Sequence, residues 1–166
     1  MKPRPILTAA IAVLAVVATA AVAVADQNGN FVAPLNNEEE IQTPAVVSNA
    51  AGAATVQLST SGDTLSYRLI VANIDNVLFS HIHCGPAGAN GPVVAFLYPG
   101  PTVTTNGVLA QGTIADPDVI DRPDSASCPG GVADFGDLLE KIRSGGAYVN
   151  VHTVVYPAGE IRGQIR

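Results

Sequence analysis

The sequence predicts an all-β fold, a Greek-key β-sandwich of about seven or eight antiparallel strands with one short helix near residues 134–144. Three observations carry this. Apolar and polar residues alternate with period two over several short runs. Sixteen Gly and 12 Pro in 166 residues separate those runs with turn signals. A helical period shows in a single stretch.

Taken in order, the elements begin with a change of composition. Lys2 and Arg4 precede an almost wholly apolar run from Ile6 to Ala25, and Ala23-Val24-Ala25 is a small-x-small cleavage pattern followed by Asp26. Residues 1–25 therefore read as a secretory signal peptide, with Asp26 as the expected mature N-terminus. The alternative is a retained membrane anchor, because 20 apolar residues can span a bilayer. Residues 26–50 read as an irregular lead-in, rich in Asn, with Pro34, Pro44 and the run Glu38-Glu39-Glu40, which is expected to be a solvated surface. Residues 51–166 form the β-sandwich domain.

Val56 and Leu58 alternate with polar residues, Thr60-Ser61-Gly62-Asp63 is a turn, and Leu65, Tyr67, Leu69 and Val71 alternate again, which predicts a β-hairpin. A short strand ending in Ser80-His81-Ile82-His83 follows, then a turn-rich stretch over 85–91. Pro92 to Tyr98 and Gly107 to Ala115 are further strands. Asp116 to Gly131 is an acidic loop, and it lacks the Gly and terminal Glu of a calcium loop. Asp134 caps a helix whose apolar face is Leu138, Leu139 and Ile142, and Gly145-Gly146 stops it. Two strands close the chain. Ala147 to Thr153 has Val149 and Val151 on one face and Tyr148, Asn150 and His152 on the other. Glu160 to Arg166 has Ile161 and Ile165 inward and Glu160, Arg162 and Gln164 outward.

Charge and cysteines set the partners and the compartment. The chain carries net −6 with a pI near 4.8, and loss of residues 1–25 removes two cations and takes it to −8. Nucleic acid is excluded as a partner, since phosphate binding rests on clustered Lys and Arg. No membrane association is expected once the signal is cleaved, which leaves an extracellular protein or envelope component as the partner. Cys84 and Cys128 are the only cysteines, and in an oxidising compartment an even pair predicts a disulfide.

Candidate chemistry rests on three histidines. His81 and His83 are two apart on a strand, so both rings share a face. His152 sits on another strand, on the face of Tyr148 and Asn150. Were the two strands neighbours, three imidazoles could converge on copper or zinc. Binding would then weaken as pH falls through about 6.5, where free His protonates. The competing reading is three hydrogen-bonded residues with no metal. No nucleophile elbow, phosphate loop or paired carboxylates appear, so no catalytic residue and no certain cofactor is assigned.

Two segments carry a family resemblance. They are Ser80-His81-Ile82-His83-Cys84-Gly85-Pro86-Ala87-Gly88-Ala89-Asn90-Gly91-Pro92-Val93-Val94, and Gly145 to Thr153 followed by Pro157 to Ile165. Together they resemble the CHRD domain, first named from chordin, over roughly residues 50–166. The resemblance implies a secreted β-sandwich and little about activity. In outline the domain is also similar to copper/zinc superoxide dismutase, where an His-x-His and a later Val-His bind copper. His81, His83 and His152 are the matching positions, but no His lies between 84 and 151 to serve as bridging or zinc ligand. The sequence thus predicts a secreted, non-enzymatic binding or structural module, with a copper- or zinc-binding protein as the alternative.

Overall fold

The structure, a computed structural model, describes residues 29–166; the signal-peptide assignment lies outside the described residues. Seven antiparallel strands belong to one hydrogen-bonded sheet: β1 (Asn30–Asn36), β2 (Ala51–Leu58), β3 (Leu65–Cys84), β4 (Val93–Tyr98), β5 (Val103–Ile114), β6 (Ala147–Thr153) and β7 (Ile161–Gln164). One helix, α1 (Phe135–Arg143), interrupts them. The all-β class, the strand number and the helix agree with the sequence. The sandwich takes the form of a single sheet curled partly into a barrel, because β3 is long enough to serve both layers.

That strand is where the fold is decided. The sequence suggested a hairpin strand and then a separate short strand; the two are one continuous run of 20 residues. Its first half pairs with β2 and β5, and its second half with β6 and β4. Register shifts on either side of Ile74 bend it between the halves. Asn73 (φ 55°) and Asn76 (φ 50°) supply left-handed backbone there. Asn tolerates this region better than β-branched residues. Their amides donate to Asn106 Oδ1 (2.7 Å) and Thr104 Oγ1 (2.9 Å), so the bulges leave no orphan donor. The ring β3–β2–β1–β7–β6–β3 then closes around a core that includes Phe31, Leu65, Leu69, Ile82, Val149 and Ile161.

The lead-in of residues 26–50 is corrected. Residues 30–36 are strand, with Phe31, Ala33 and Leu35 buried and the residues between exposed. Asn and Pro obscured this period in the sequence. Pro34 has no N–H to give. It lies on the side facing β7, where the bonds fall instead at Val32 with Arg166 and at Asn36 opposite Arg162. Gly163 permits this closure: a Cβ there would stand 1.9 Å from the Pro34 carbonyl oxygen.

Residues 37–49 form a strap over the outer face of β6 and β7. Gln42 donates to the Gly159 carbonyl (2.7 Å), Ser48 to Glu160 Oε1 (2.5 Å) and Tyr156 to the Val47 carbonyl (2.8 Å). The expected outward placement of Glu160, Arg162 and Gln164 is therefore wrong: all three are buried, Arg162 at 2% exposure. A strand's polar alternation marks a second face, and here that face is covered by chain rather than water.

The remaining elements follow their sequence signals. Asp134 caps α1 and accepts from the Asp137 amide (2.9 Å). Phe135, Leu138, Leu139 and Ile142 pack inward. Three carboxylates of the acidic loop accept from backbone amides within or next to the loop. Asp116 accepts from the Phe135 amide, Asp118 from Ala115 and Asp124 from Gly130. Cys84 and Cys128 form the expected disulfide, with Cα atoms 5.3 Å apart.

Candidate metal centre

The register of β3 against β6 builds the site. Phe79, His81 and His83 alternate onto the outer face of β3. Across from them stand His152, Asn150 and Tyr148, in that order. Phe96 of β4 lies opposite His81, and Arg162 and Gln164 of β7 lie opposite Asn150 and Tyr148. The neighbouring-strand condition for the three histidines is thus met.

Their rings converge. His81 Nδ1 and His152 Nε2 are hydrogen-bonded at 3.2 Å, with the His152 nitrogen accepting when its Nδ1 carries the proton. One ring nitrogen from each histidine lies within 4.8 Å of the others. Three such atoms sit within about 2.8 Å of a common centre. Imidazole–metal bonds are about 2.0–2.1 Å, so a sub-ångström contraction would complete the ligand set. His81 and His83 are 7% and 8% exposed, and His152 is half-buried.

Backbone carbonyls set the direction of two rings. His83 Nδ1 donates to the Gly91 carbonyl (2.9 Å) and His152 Nδ1 to the Pro157 carbonyl (3.0 Å). A carbonyl only accepts, so each Nδ1 carries the proton and each Nε2 carries a lone pair. This is the outer-shell arrangement that orients metal-binding imidazoles. His83 Nε2 is buried and has no hydrogen-bond partner. Buried polar atoms are rarely left so.

Electrostatics keep the rings neutral. Burial, with His152 and His83 as neighbours, pushes His81 down to about 3. Burial pushes His83 down to about 4, against the opposing effect of the Gly91 bond. Burial also lowers His152. Neutral imidazole is the form that binds a metal.

Sequence reasoning missed the groups behind this cluster. Tyr148 stacks on His83, with ring centroids 4.8 Å apart and planes at 11°. The Arg162 guanidinium lies 3.4 Å over the other side of the Tyr148 ring. Arg162 itself donates to Asn90 Oδ1 and to the Ala89 and Pro86 carbonyls. Glu40 of the strap accepts from Asn150 (2.6 Å), and burial raises its carboxyl to about 7 despite the Arg162 charge and that bond. The Glu38–Glu40 run is therefore not wholly solvated. The alternation of Tyr148, Asn150, Arg162 and Gln164 with apolar residues was the available signal, read as an open face.

Gly91 joins loop, tyrosine and histidine. Its carbonyl holds His83, and its amide donates to the Tyr148 hydroxyl (3.1 Å). A Cβ on it would stand 1.6 Å from the Cys84 carbonyl oxygen. Gly91→Ala is expected to cost about 2–3 kcal/mol of stability through forced overpacking. It should also weaken any metal bound through His83 by 10–100-fold, roughly the effect of losing an outer-shell partner. Chemical denaturation beside a metal titration checks both effects.

An all-β domain with a buried three-histidine cluster on its sheet face is the class that fold and site define. The chain belongs to the CHRD domain family, whose model matches residues 31–165. No curated protein and no solved structure gives a match. The outline similarity to superoxide dismutase thus rests on the three histidines alone. Family and disulfide fit an extracellular protein. Among the described residues no helix is long and apolar enough to cross a membrane.

Proposed function

We propose that this CHRD-domain chain is a secreted metal-binding module that holds one copper or zinc ion through His81, His83 and His152. The observation that carries this reading is the buried, unpartnered His83 Nε2 in a residue clustered with two further imidazoles. A purely structural role for the histidines would leave that atom unexplained, whereas an ion supplies its missing partner. The reading is one of metal binding, and no catalytic step is assigned to the cluster. Export through residues 1–25 and an extracellular or envelope partner belong to the same proposal.

Calorimetric titration of the purified protein with Cu²⁺ and Zn²⁺ tests it. Binding of one equivalent is expected, tighter than about 100 μM, or roughly −5.5 kcal/mol. His83→Ala is expected to abolish that binding and leave the fold intact, because the core of Val, Leu and Ile lies on the opposite face of β3. Failure of both ions to bind at this level would defeat the proposal.

A further inference from the structure

Resting on that reading, we infer that the ion's fourth ligand is water or another small molecule bearing an O–H or N–H, and that Asn150 selects it by accepting that hydrogen at Oδ1. Asn150 is 3% exposed. Its Oδ1 is buried and, like His83 Nε2, has no hydrogen-bond partner among the described residues. An ion held by the three imidazoles supplies a partner to the histidine. It leaves the amide oxygen still wanting a donor.

Register places Asn150 beneath the cluster. On the outer face of the β3–β6 ladder the pairs run Phe79 with His152, His81 with Asn150, and His83 with Tyr148. His83 and His152 thus stand on different strands with a stagger of four residues, about 13 Å along the strands. Their ring centroids are nonetheless 6.0 Å apart. Both rings therefore lean over the pair between them, and that pair is His81 and Asn150.

The amide's other prong fixes its direction. Nδ2 donates to Glu40 Oε1 of the strap (2.6 Å), and a Cβ on Gly159 would stand 2.5 Å from Nδ2. Both neighbours lie to the β7 side of Asn150, since the strap crosses β6 and β7 and Gly159 leads into β7. The two prongs of a planar amide diverge, so Oδ1 is turned to the β3 side, where the cluster stands.

A carbonyl oxygen suits magnesium, calcium or manganese better than copper or zinc, so its role here is to accept a hydrogen bond rather than to ligate. Three protein ligands with water in the fourth position make an open zinc site, and nitrogen with oxygen suits Cu²⁺. An amide oxygen only accepts. A fourth ligand without a hydrogen leaves it buried and unpaired, and is disfavoured for that reason.

The test is titration of the Cu²⁺-loaded full chain with azide, read from the azide-to-copper charge-transfer band. Azide at neutral pH carries no hydrogen. In Asn150→Leu, which removes the acceptor at similar size, azide is expected to bind about tenfold more tightly than in the parent, the effect of sparing one unpaired buried acceptor. The same gain is expected in a Glu40→Gln background, which removes the strap's charge and keeps an oxygen for Nδ2. That pair also stands in should the single variant not fold, because it leaves no lone carboxylate buried. Unchanged azide affinity would overturn the role given to Asn150. Weaker azide binding in Asn150→Leu would mean that Nδ2 faces the site, and would overturn the inference as well. Loss of Cu²⁺ from a folded Asn150→Leu would make Oδ1 a ligand of the ion, with the same result. Each of these outcomes leaves the three-histidine site standing. Failure of the parent chain to bind Cu²⁺ would overturn the site and the inference together.

Discussion

Reducing the Cys84–Cys128 bridge, or replacing both cysteines with Ala, is expected to lower the folding free energy by about 4 kcal/mol on the loop-entropy model. The bond spans a sequence separation of 44 residues. It ties the end of β3 to a loop with little regular structure. Its other ties include two isolated bridges, Arg122 with Val132 and Ser125 with Cys128, and hydrogen bonds from Ile120 to the Val94 carbonyl and from Arg122 to the Val93 carbonyl. The effect should extend to the metal centre. Cys84 follows His83, and its amide donates to the Pro92 carbonyl beside Gly91 (2.9 Å). Denaturant unfolding with and without a reductant measures the stability change, and metal titration of the double Ala variant measures the coupling. A stability loss below about 1 kcal/mol would show that the loop is held by its other contacts.

How far the sequence discloses this molecule depends on which layer of it is asked about. Hairpin, helix and closing strands were legible because each is a local pattern. The cap at Asp134 and the alternation in 147–153 need no distant partner to be read. The disulfide was legible by arithmetic on two cysteines. The continuity of β3 was not, because Asn73 and Asn76 look like a turn until the bulges they permit are paired to Asn106 and Thr104. β1 was hidden because Asn30, Pro34 and Asn36 are poor strand residues whose cost is met by their place at the barrel's closure.

The three ligands of the candidate site were legible from spacing. Their surroundings were not. Arg162, Tyr148 and Glu40 meet through the β6–β7 register and the strap, which are long-range contacts with no local signature. For the same reason the polar face was read as solvated. Alternation tells which residues share a face, and it is silent on whether that face meets water or another segment of chain.

The second large effect is on acid stability of the metal-free protein. His81 and His83 stand at about 3 and about 4 in the fold, and free His titrates near 6.5. A lowered folded value means that the unfolded chain binds more protons below pH 6.5. The stability these rings contribute is thus present above 6.5 and lost as pH falls toward 4. Glu40 works in the opposite direction. Its carboxyl is raised to about 7 from an ordinary 4.5, so the fold takes up a proton that the unfolded chain does not. That contribution is full below pH 4.5 and is lost as pH rises through 7. Between pH 6.5 and 4.5, two or more histidine protons oppose one carboxyl proton, and the net loss on acidification is moderate, on the order of 2 kcal/mol. Below 4.5 the carboxyl adds nothing further, and the fall levels off as His83 and then His81 take up their protons in the fold. Glu40→Gln removes the opposing limb, so its stability between pH 6.5 and 4.5 should fall more steeply than that of the parent protein. His81→Gln should flatten the same limb. Urea denaturation across pH 4–7.5 in the presence of a chelator resolves all three curves. Parallel curves for the parent and Glu40→Gln would show that the strap's carboxyl does not share in the balance.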